Sequence, residues 1–286
     1  MSFDANAHRA SSLAGWEAAA PGWIRRQEAI RALGAPVSRW MLDAIYLRPG
    51  ERVLELAAGL GETGMLAAEL VAPMGSVTIS DQAQAMLDGA RARALELGVS
   101  NVEFKVLNAE WIDLSLASVD AVLCRWGYML MADPAAALGE TRRVLAPGGR
   151  VALAVWDAVE SNPWALLPAQ ELIERGLAPA PQERSEPRPG PFALGSVTAV
   201  SDLLDHAGFT EAHVETLDLP RRHPNFDDLW ETTLDLSREF HDAVLSCPSP
   251  EIEEIKVSLA RRYAPYTAAD GTLDVPGRTL VAVASA

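Results

Sequence analysis

The sequence predicts an α/β fold, a doubly wound and mostly parallel seven-stranded sheet with a helical lid, on three observations. Strand and helix patterns alternate from Arg48 to Asp157, and alternation with right-handed crossovers builds a parallel sheet. The strands are short apolar runs such as Val53, Leu54 and Leu56, as strands covered on both faces are. A glycine turn, Gly59-x-Gly61-x-x-Gly64, joins the first run to a helix, where such a sheet binds ligands.

With 286 residues, the chain fits one decorated α/β domain, or a domain plus a cap, rather than two of equal rank. A net charge of -15 disfavours duplex nucleic acid, which demands a basic surface. Cys124 and Cys247 lie far apart and match no metal spacing, so neither a disulfide framework nor a metal site is expected. Met1 to Ala20 lacks a basic flank before an apolar core, and no stretch reaches the roughly 20 apolar residues of a bilayer span. The expectation is a cytoplasmic protein without a membrane span.

Residues 1–47 hold Trp16, Trp23 and the apolar-periodic segment Ser38 to Leu47, two or three helices ending at Pro49-Gly50. The core, 48–157, opens with the Val53–Leu56 strand, the glycine turn and a helix from Met65 to Val71. Strand Ser76 to Ser80 ends at Asp81, and Gln82 to Leu97 reads as a helix. Strands Val102 to Leu107 and Val119 to Arg125 follow, then helix Pro134 to Leu145, a turn over Ala146-Pro147-Gly148-Gly149, and strand Arg150 to Asp157.

Beyond Ala158 the rhythm fails. An insertion over 158–199 is punctuated by Pro163, Pro168, Pro179, Pro181, Pro187, Pro189 and Pro191, and holds a helix from Trp164 to Gly176 and a mobile proline-rich loop. The core resumes over 200–219 with helix Val200 to Ala207 and strand Ala212 to Leu219. A second insertion, 220–277, carries helical patterns from Phe226 to Leu245 and from Pro250 to Tyr263, and 278–286 holds the closing strand, Thr279 to Ala284.

The glycine turn offers backbone that a ligand can touch and the free N–H groups of a helix start. Its spacing also satisfies the dinucleotide fingerprint, with Asp81 about 20 residues onward. Glu55 decides between them: a carboxylate ahead of the glycines repels a pyrophosphate and suits a cationic ligand. Glu55-x-Ala57-x-Gly59-x-Gly61 resembles motif I of class I S-adenosylmethionine-dependent methyltransferases, Asp/Glu-x-Gly-x-Gly-x-Gly, with Ala57 in place of the first glycine. The helix, Pro-Gly-Gly turn and apolar strand from Pro134 to Asp157 resemble the same Rossmann-like family, and Asp120 to Trp156 looks most like its quinone-biosynthesis-like, small-molecule branch.

The resemblance implies S-adenosylmethionine as cofactor. Glu55, Ala57, Gly59, Gly61, Asp81, Gln82, Asn108, Ala109 and Arg125 are its candidate contacts, with Trp23 closing over it from the N-terminal helices. Asp81 would grip both ribose hydroxyls, or cap the next helix, or do both; Asn108 would accept from the adenine amino group. Glu110 reads equally as a helix-start residue or a ligand. The family's antiparallel last strand places both insertions over the cofactor, as a lid with an apolar acceptor pocket.

For that pocket the candidates are Trp126, Tyr128, Trp156, Trp164, Phe192 and Trp230, with Phe226 beside them. Methyl transfer demands alignment more than acid–base groups; Tyr128 and His223 are the candidates should a base be used. Neither the Asn/Asp-Pro-Pro-Tyr of nucleic-acid amino-methylating enzymes nor a metal-ligand Asp stands at the end of the fourth strand, where Cys124-Arg125-Trp126-Gly127 occurs. The acceptor implied is a small, fairly apolar organic molecule methylated on oxygen, carbon or nitrogen by in-line displacement, with no metal; a homodimer is a possible assembly. The rivals are a nicotinamide-dependent oxidoreductase and a non-catalytic S-adenosylmethionine-binding protein on the same scaffold.

Overall fold

The computed structural model describes residues 3–179 and 188–286. Two long helices come first, α1 (Ala5–Arg25) and α2 (Gln27–Ile45). The Asp4 side chain starts α1 by accepting from the Asn6 and Ala7 amides, both at 3.0 Å. α2 buries Val37, Met41 and Ile45 and packs along the sheet.

The core then runs β1 (Arg52–Glu55), α3 (Glu62–Val71), β2 (Ser76–Asp81), α4 (Gln84–Leu97), β3 (Val102–Val106), β4 (Val119–Arg125), α5 (Pro134–Val144) and β5 (Leu145–Trp156). The lid and closing elements are α6 (Pro163–Glu174), α7 (Val197–His206), β6 (Thr210–Asp218), β7 (Arg221–His223), α8 (Phe226–Leu236), α9 (Arg238–Leu245), α10 (Ser249–Tyr263), β8 (Leu273–Val275) and β9 (Arg278–Ser285).

The predicted seven-stranded sheet is present, in the order β3-β2-β1-β4-β5-β9-β6, with β9 antiparallel to both its neighbours and every other pairing parallel. The chain leaves β1 toward β2 on one side and returns to β4 on the other, so the crevice at the carboxyl ends of β1 and β4 is a topological switch point, where open α/β sheets bind ligands. Val53, Leu54, Val77, Ile79, Val122 and Leu123 are almost wholly buried along these strands.

Three segments differ from the sequence reading. The Phe226–Leu245 pattern is two helices, broken at Ser237, whose hydroxyl caps α9 at the Phe240 amide. The expected turn at 146–149 lies inside β5, which pairs from Leu145 with Val119 and turns at Gly148 with φ +76°. A two-stranded ribbon, β7 with β8, was not expected. Of the prolines in the first insertion, Pro181 and Pro187 lie outside the described residues, together with that part of the expected loop.

The lid has its own apolar core, with Leu229, Trp230, Phe240, Ile255, Leu259 and Tyr263 among its buried residues. Buried Glu171 pins α6 to α10, accepting from Ser258 at 2.7 Å and Arg262 at 2.9 Å. Among the described residues, no helix is long and apolar enough to cross a membrane.

Candidate functional site

The crevice begins at the β1 turn. The Leu56 amide donates to Leu123 O and the Ala58 amide to Ser80 O, so the turn is fixed to both neighbouring strands. Ala57, Gly59 and Gly61 all have positive φ, at 50°, 55° and 75°. Ala57 thus takes the left-handed conformation of the glycine it replaces, at a cost of about 1–2 kcal/mol. Its methyl faces the loop after β4, where a Cβ on Gly127 would stand 2.6 Å away.

The cleft is walled by Ala57, Gly59, Asp81, Gln82, Asn108, Ala109, Arg125 and Trp126 from the sheet side and by His8, Arg9, Ser12, Trp16 and Trp23 from α1. Asp81 Oδ2 accepts from the Gly59 amide and Oδ1 from the Ala83 amide, both at 2.9 Å. Each oxygen keeps capacity for a further donor. Burial raises the Asp81 pKa, against the backbone amides that lower it. Asn108 lines the cleft with Oδ1 already accepting from the Glu110 amide at 2.9 Å. Trp23 crosses Trp16 edge-on at 5.3 Å and stands over Gly59; its Nε1 is buried without a partner.

Arg125 closes the other end. Its Nε donates to Thr63 Oγ1 at 3.1 Å, its guanidinium lies 4.7 Å from the Trp126 ring centre, and Nη1 has no partner. The space it fills belongs to Gly34 of α2, where a Cβ would overlap Nη1. Glu55 lies beneath the turn, 2% exposed, with Oε2 unpartnered and 2.3 Å from where a Gly64 Cβ would be. Burial pushes its pKa up to about 8, and the Arg125 charge pulls against that rise. Arg125 Nη1 and the Trp23 indole N–H, on residues that wall the cleft, and Glu55 Oε2 beneath its floor are buried polar atoms without partners, the kind of orphans a ligand could satisfy.

A second cavity, about 740 Å³, lies within the lid and is lined by Trp164, Phe192, Arg221, His223, Phe240 and Tyr263 among others. Trp126 of the cleft stacks on Trp156 at 4.4 Å, and Trp156 meets Trp164 of the lid cavity at 4.9 Å. His223 Nδ1 is 2.8 Å from Asp228 Oδ2.

A family model described as a methyltransferase domain matches residues 47–178. The nocamycin O-methyltransferase of Saccharothrix syringae is 31% identical over 200 residues, 68% of this chain and 71% of that protein. The chain belongs to the class I S-adenosylmethionine-dependent methyltransferases. Within the family it falls in the small-molecule branch, and S-adenosylmethionine is its cofactor. The ubiquinone/menaquinone biosynthesis C-methyltransferase of Hahella chejuensis is 36% identical over 114 residues, 40% of this chain and 46% of that one, so the chain spans under half of that relative. In fold it is similar to the [4+2]-cyclase SpnF, with a TM-score of 0.55 and 15% identity over 94% of this chain and 96% of that one.

On this methyltransferase scaffold, Ala57, Gly59, Asp81, Gln82, Asn108, Ala109, Arg125, Trp126 and Trp23 converge on the cleft, and Trp164, Phe192 and His223 on the lid cavity. Other candidates lie elsewhere. Glu55, expected as a cofactor contact, is buried beneath the turn and does not line the cleft, because β1 ends under the glycine loop rather than at its open face. Tyr128, expected as a base and an acceptor contact, is wholly buried with its hydroxyl 2.7 Å from Thr141 Oγ1, and burial holds its pKa well above 10.0. Gly61 starts α3 and faces Ile79, Ala90 and Met65 rather than the cleft. Trp156 lies between the two cavities and Trp230 packs edge-on against Phe240 in the lid core, so neither lines a cavity. Phe226 faces Tyr263.

Two acidic residues fasten the cleft's surroundings, Glu17, which the sequence did not single out, and Glu110, which it left open. Glu17 of α1 accepts from the Gln84 and Ala85 amides, capping α4. Glu110 is neither helix start nor free: it pairs with Arg9 and accepts from the Ala132 amide. No local pattern announces either contact, because the partners are tens of residues apart. Asp228 beside His223 carries a weaker signal, the His-x-x-x-x-Asp spacing across a helix start.

Proposed function

We propose that the protein transfers a methyl group to oxygen, carbon or nitrogen of a small, fairly apolar organic acceptor held in the lid cavity. The observation that carries this reading is the division of space into two: a cleft on the glycine turn that presents Asp81, Asn108 and Arg125, and a larger, mostly apolar cavity on the far side of the Trp126–Trp156–Trp164 aromatic chain.

Bound, the cofactor supplies a sulfonium methyl for in-line displacement. Asp81 holds the ribose hydroxyls, Asn108 and Ala109 frame the adenine, and Arg125 takes the carboxylate of the methionine tail. Glu55 answers the ammonium through the floor of the turn rather than by open contact. The helices of 1–47 cover the cofactor; the insertions 158–199 and 220–277 cover the acceptor and exclude water, where alignment alone is worth about 7–11 kcal/mol.

His223, oriented by Asp228, is the base for an acceptor that must lose a proton. Its pKa is lowered by burial, against the raising effect of Asp228, so the ring is neutral and able to accept at pH 7. The acidic surface and the apolar cavity suit a cytoplasmic enzyme of small molecules rather than of nucleic acid. A cyclase with this fold shows that fold alone does not carry methyl transfer, so turnover has to be measured. S-adenosylhomocysteine binding by calorimetry, followed by a methyl-transfer screen over phenols, carboxylates, enols and amines, tests the reading; binding without turnover on any class would leave a cofactor-binding protein, and quenching by NADH instead would return the nicotinamide reading, which no comparison supports.

A further inference from the structure

We propose that the lid cavity selects an acceptor carrying a negatively charged oxygen on an apolar body, and that Arg221 is the selecting group. This rests on the methyltransferase reading and names the acceptor class it left open. Arg221 and His223 are alternate residues of the three-residue strand β7, so both side chains turn to the same face and line the cavity. Arg222 between them points outward, its side chain 79% exposed near Asp274.

The guanidinium of Arg221 lies 3.4 Å from the ring centre of Trp164 and 5.2 Å from that of Trp156. Its Nε is enclosed and has no hydrogen-bond partner, and no carboxylate among the described residues pairs with it. The acids near the cavity have other partners or face solvent: Asp228 holds His223 and Arg26, Glu174, which lines it, pairs with Arg262, and Glu239, which also lines it, is exposed. Tyr263 is its polar neighbour, and that hydroxyl is kept un-ionised by burial.

Burial lowers the Arg221 pKa to about 9, which leaves the group charged at neutral pH. A partly buried cation without a counter-ion, its Nε enclosed and unpartnered, is unfavourable, and two indole faces offset part of its charge while accepting none of its N–H groups in the plane. The planar fork matches two oxygens sharing a negative charge, as in a carboxylate or the enolate of a 1,3-dicarbonyl. Such an anion, with its apolar part against Phe192 and Phe240, would supply the missing partner beside the His223 imidazole.

The test is a titration of the protein, with S-adenosylhomocysteine present, by 2-naphthoate and by its neutral isostere 2-naphthamide, read by calorimetry and by tryptophan quenching. Wild type should bind the naphthoate about tenfold more tightly or better. Arg221→Met and Arg221→Gln, checked for folding by thermal unfolding and for retained S-adenosylhomocysteine binding, should bring the two ligands to about the same affinity. Equal affinity in wild type, no naphthoate binding, or a preference that survives in both variants would overturn the proposal; a role limited to bracing the lid on the tryptophans predicts the first of these. Should neither variant fold, the wild-type comparison decides alone. Failure of S-adenosylhomocysteine to bind would instead sink the methyltransferase reading.

Discussion

Arg9 Nε of α1 donates to Glu110 Oε2 at 2.9 Å across 101 residues of chain, and the other carboxylate oxygen of Glu110 accepts from the Ala132 amide at 2.9 Å. One partly buried carboxylate thereby ties the first helix to the loops after β3 and β4, with the cleft between them. His8 adds a contact to Leu130 O at 3.1 Å, and Gln82 one to Ser12 at 3.1 Å. These polar contacts close the cleft together with an apolar cluster in which Trp16, Ala20 and Trp23 of α1 pack with Leu60, Ala83 and Met86.

The first expectation concerns that closure. Arg9→Ala and Glu110→Gln should each speed S-adenosylhomocysteine release several-fold and leave the midpoint of thermal unfolding within a few degrees. Partly exposed ion pairs are worth about 1 kcal/mol or less, and this pair holds a helix that is peripheral to the sheet. Stopped-flow displacement measures it; unchanged release rates in both variants would mean that α1 does not gate the cleft.

Asp81→Ala should weaken cofactor binding tenfold or more, since two charge-assisted hydrogen bonds of about 1.5–3 kcal/mol each are at stake. The same carboxylate accepts from Gly59 and Ala83, so some stability goes too, about 1 kcal/mol for a lost cap. Asp81→Asn separates the two effects, because its amide oxygen preserves one acceptor. Calorimetry with undiminished affinity in the alanine variant would remove Asp81 from the site.

Glu55 gives a pH signature. Its folded pKa, about 8, stands above the ordinary 4.5, so the folded state binds this proton more tightly than the unfolded one. Its contribution to stability is largest at low pH and falls as pH rises from about 4.5 to about 8, with no further change above. Glu55→Gln should flatten that slope and raise the unfolding midpoint at pH 8 more than at pH 5. A cationic ligand nearby favours the ionised carboxyl, so S-adenosylmethionine should bind more tightly as pH climbs toward 8 and should release protons on binding. Calorimetry in buffers of different ionisation enthalpy reads this directly; proton uptake, or none, would contradict it.

His223 and Asp228 make a fourth case. With an acceptor that must be deprotonated, kcat/KM should fall on the acid side as the imidazole protonates, below its ordinary 6.5 because burial lowers the pKa. His223→Gln should reduce kcat by about 10²–10⁴, the range of a lost general base, with KM changed far less, and Asp228→Asn should reduce it by a smaller factor. An acid limb identical in His223→Gln would exclude the dyad from the chemistry.

Much of this could be read from the residues in order. Strands such as Val119–Arg125 are local apolar runs, and once their parallel order is known Glu55, Asp81 and Arg125 must stand at one end of the sheet. Tyr128 could not be placed that way: the positive φ of Trp126, 62°, turns the chain so that Trp126 faces the cleft while Tyr128 passes under α5 to Thr141. The β7–β8 ribbon was hidden because Arg221, Arg222 and His223 show no apolar alternation; their strand exists through pairing with residues 273–275. Trp230 sits on a helix whose period marks an inner face but not the neighbour it meets, and that neighbour is Phe240 of the lid.

The most direct test of the cleft is a crystal structure of the protein with S-adenosylhomocysteine. The account predicts ribose hydroxyls on the Asp81 carboxylate, the amino-acid tail at Arg125 above Glu55, and the sulfur facing the tryptophan stack. Density for the ligand in the lid cavity, or a ribose remote from Asp81, would contradict it.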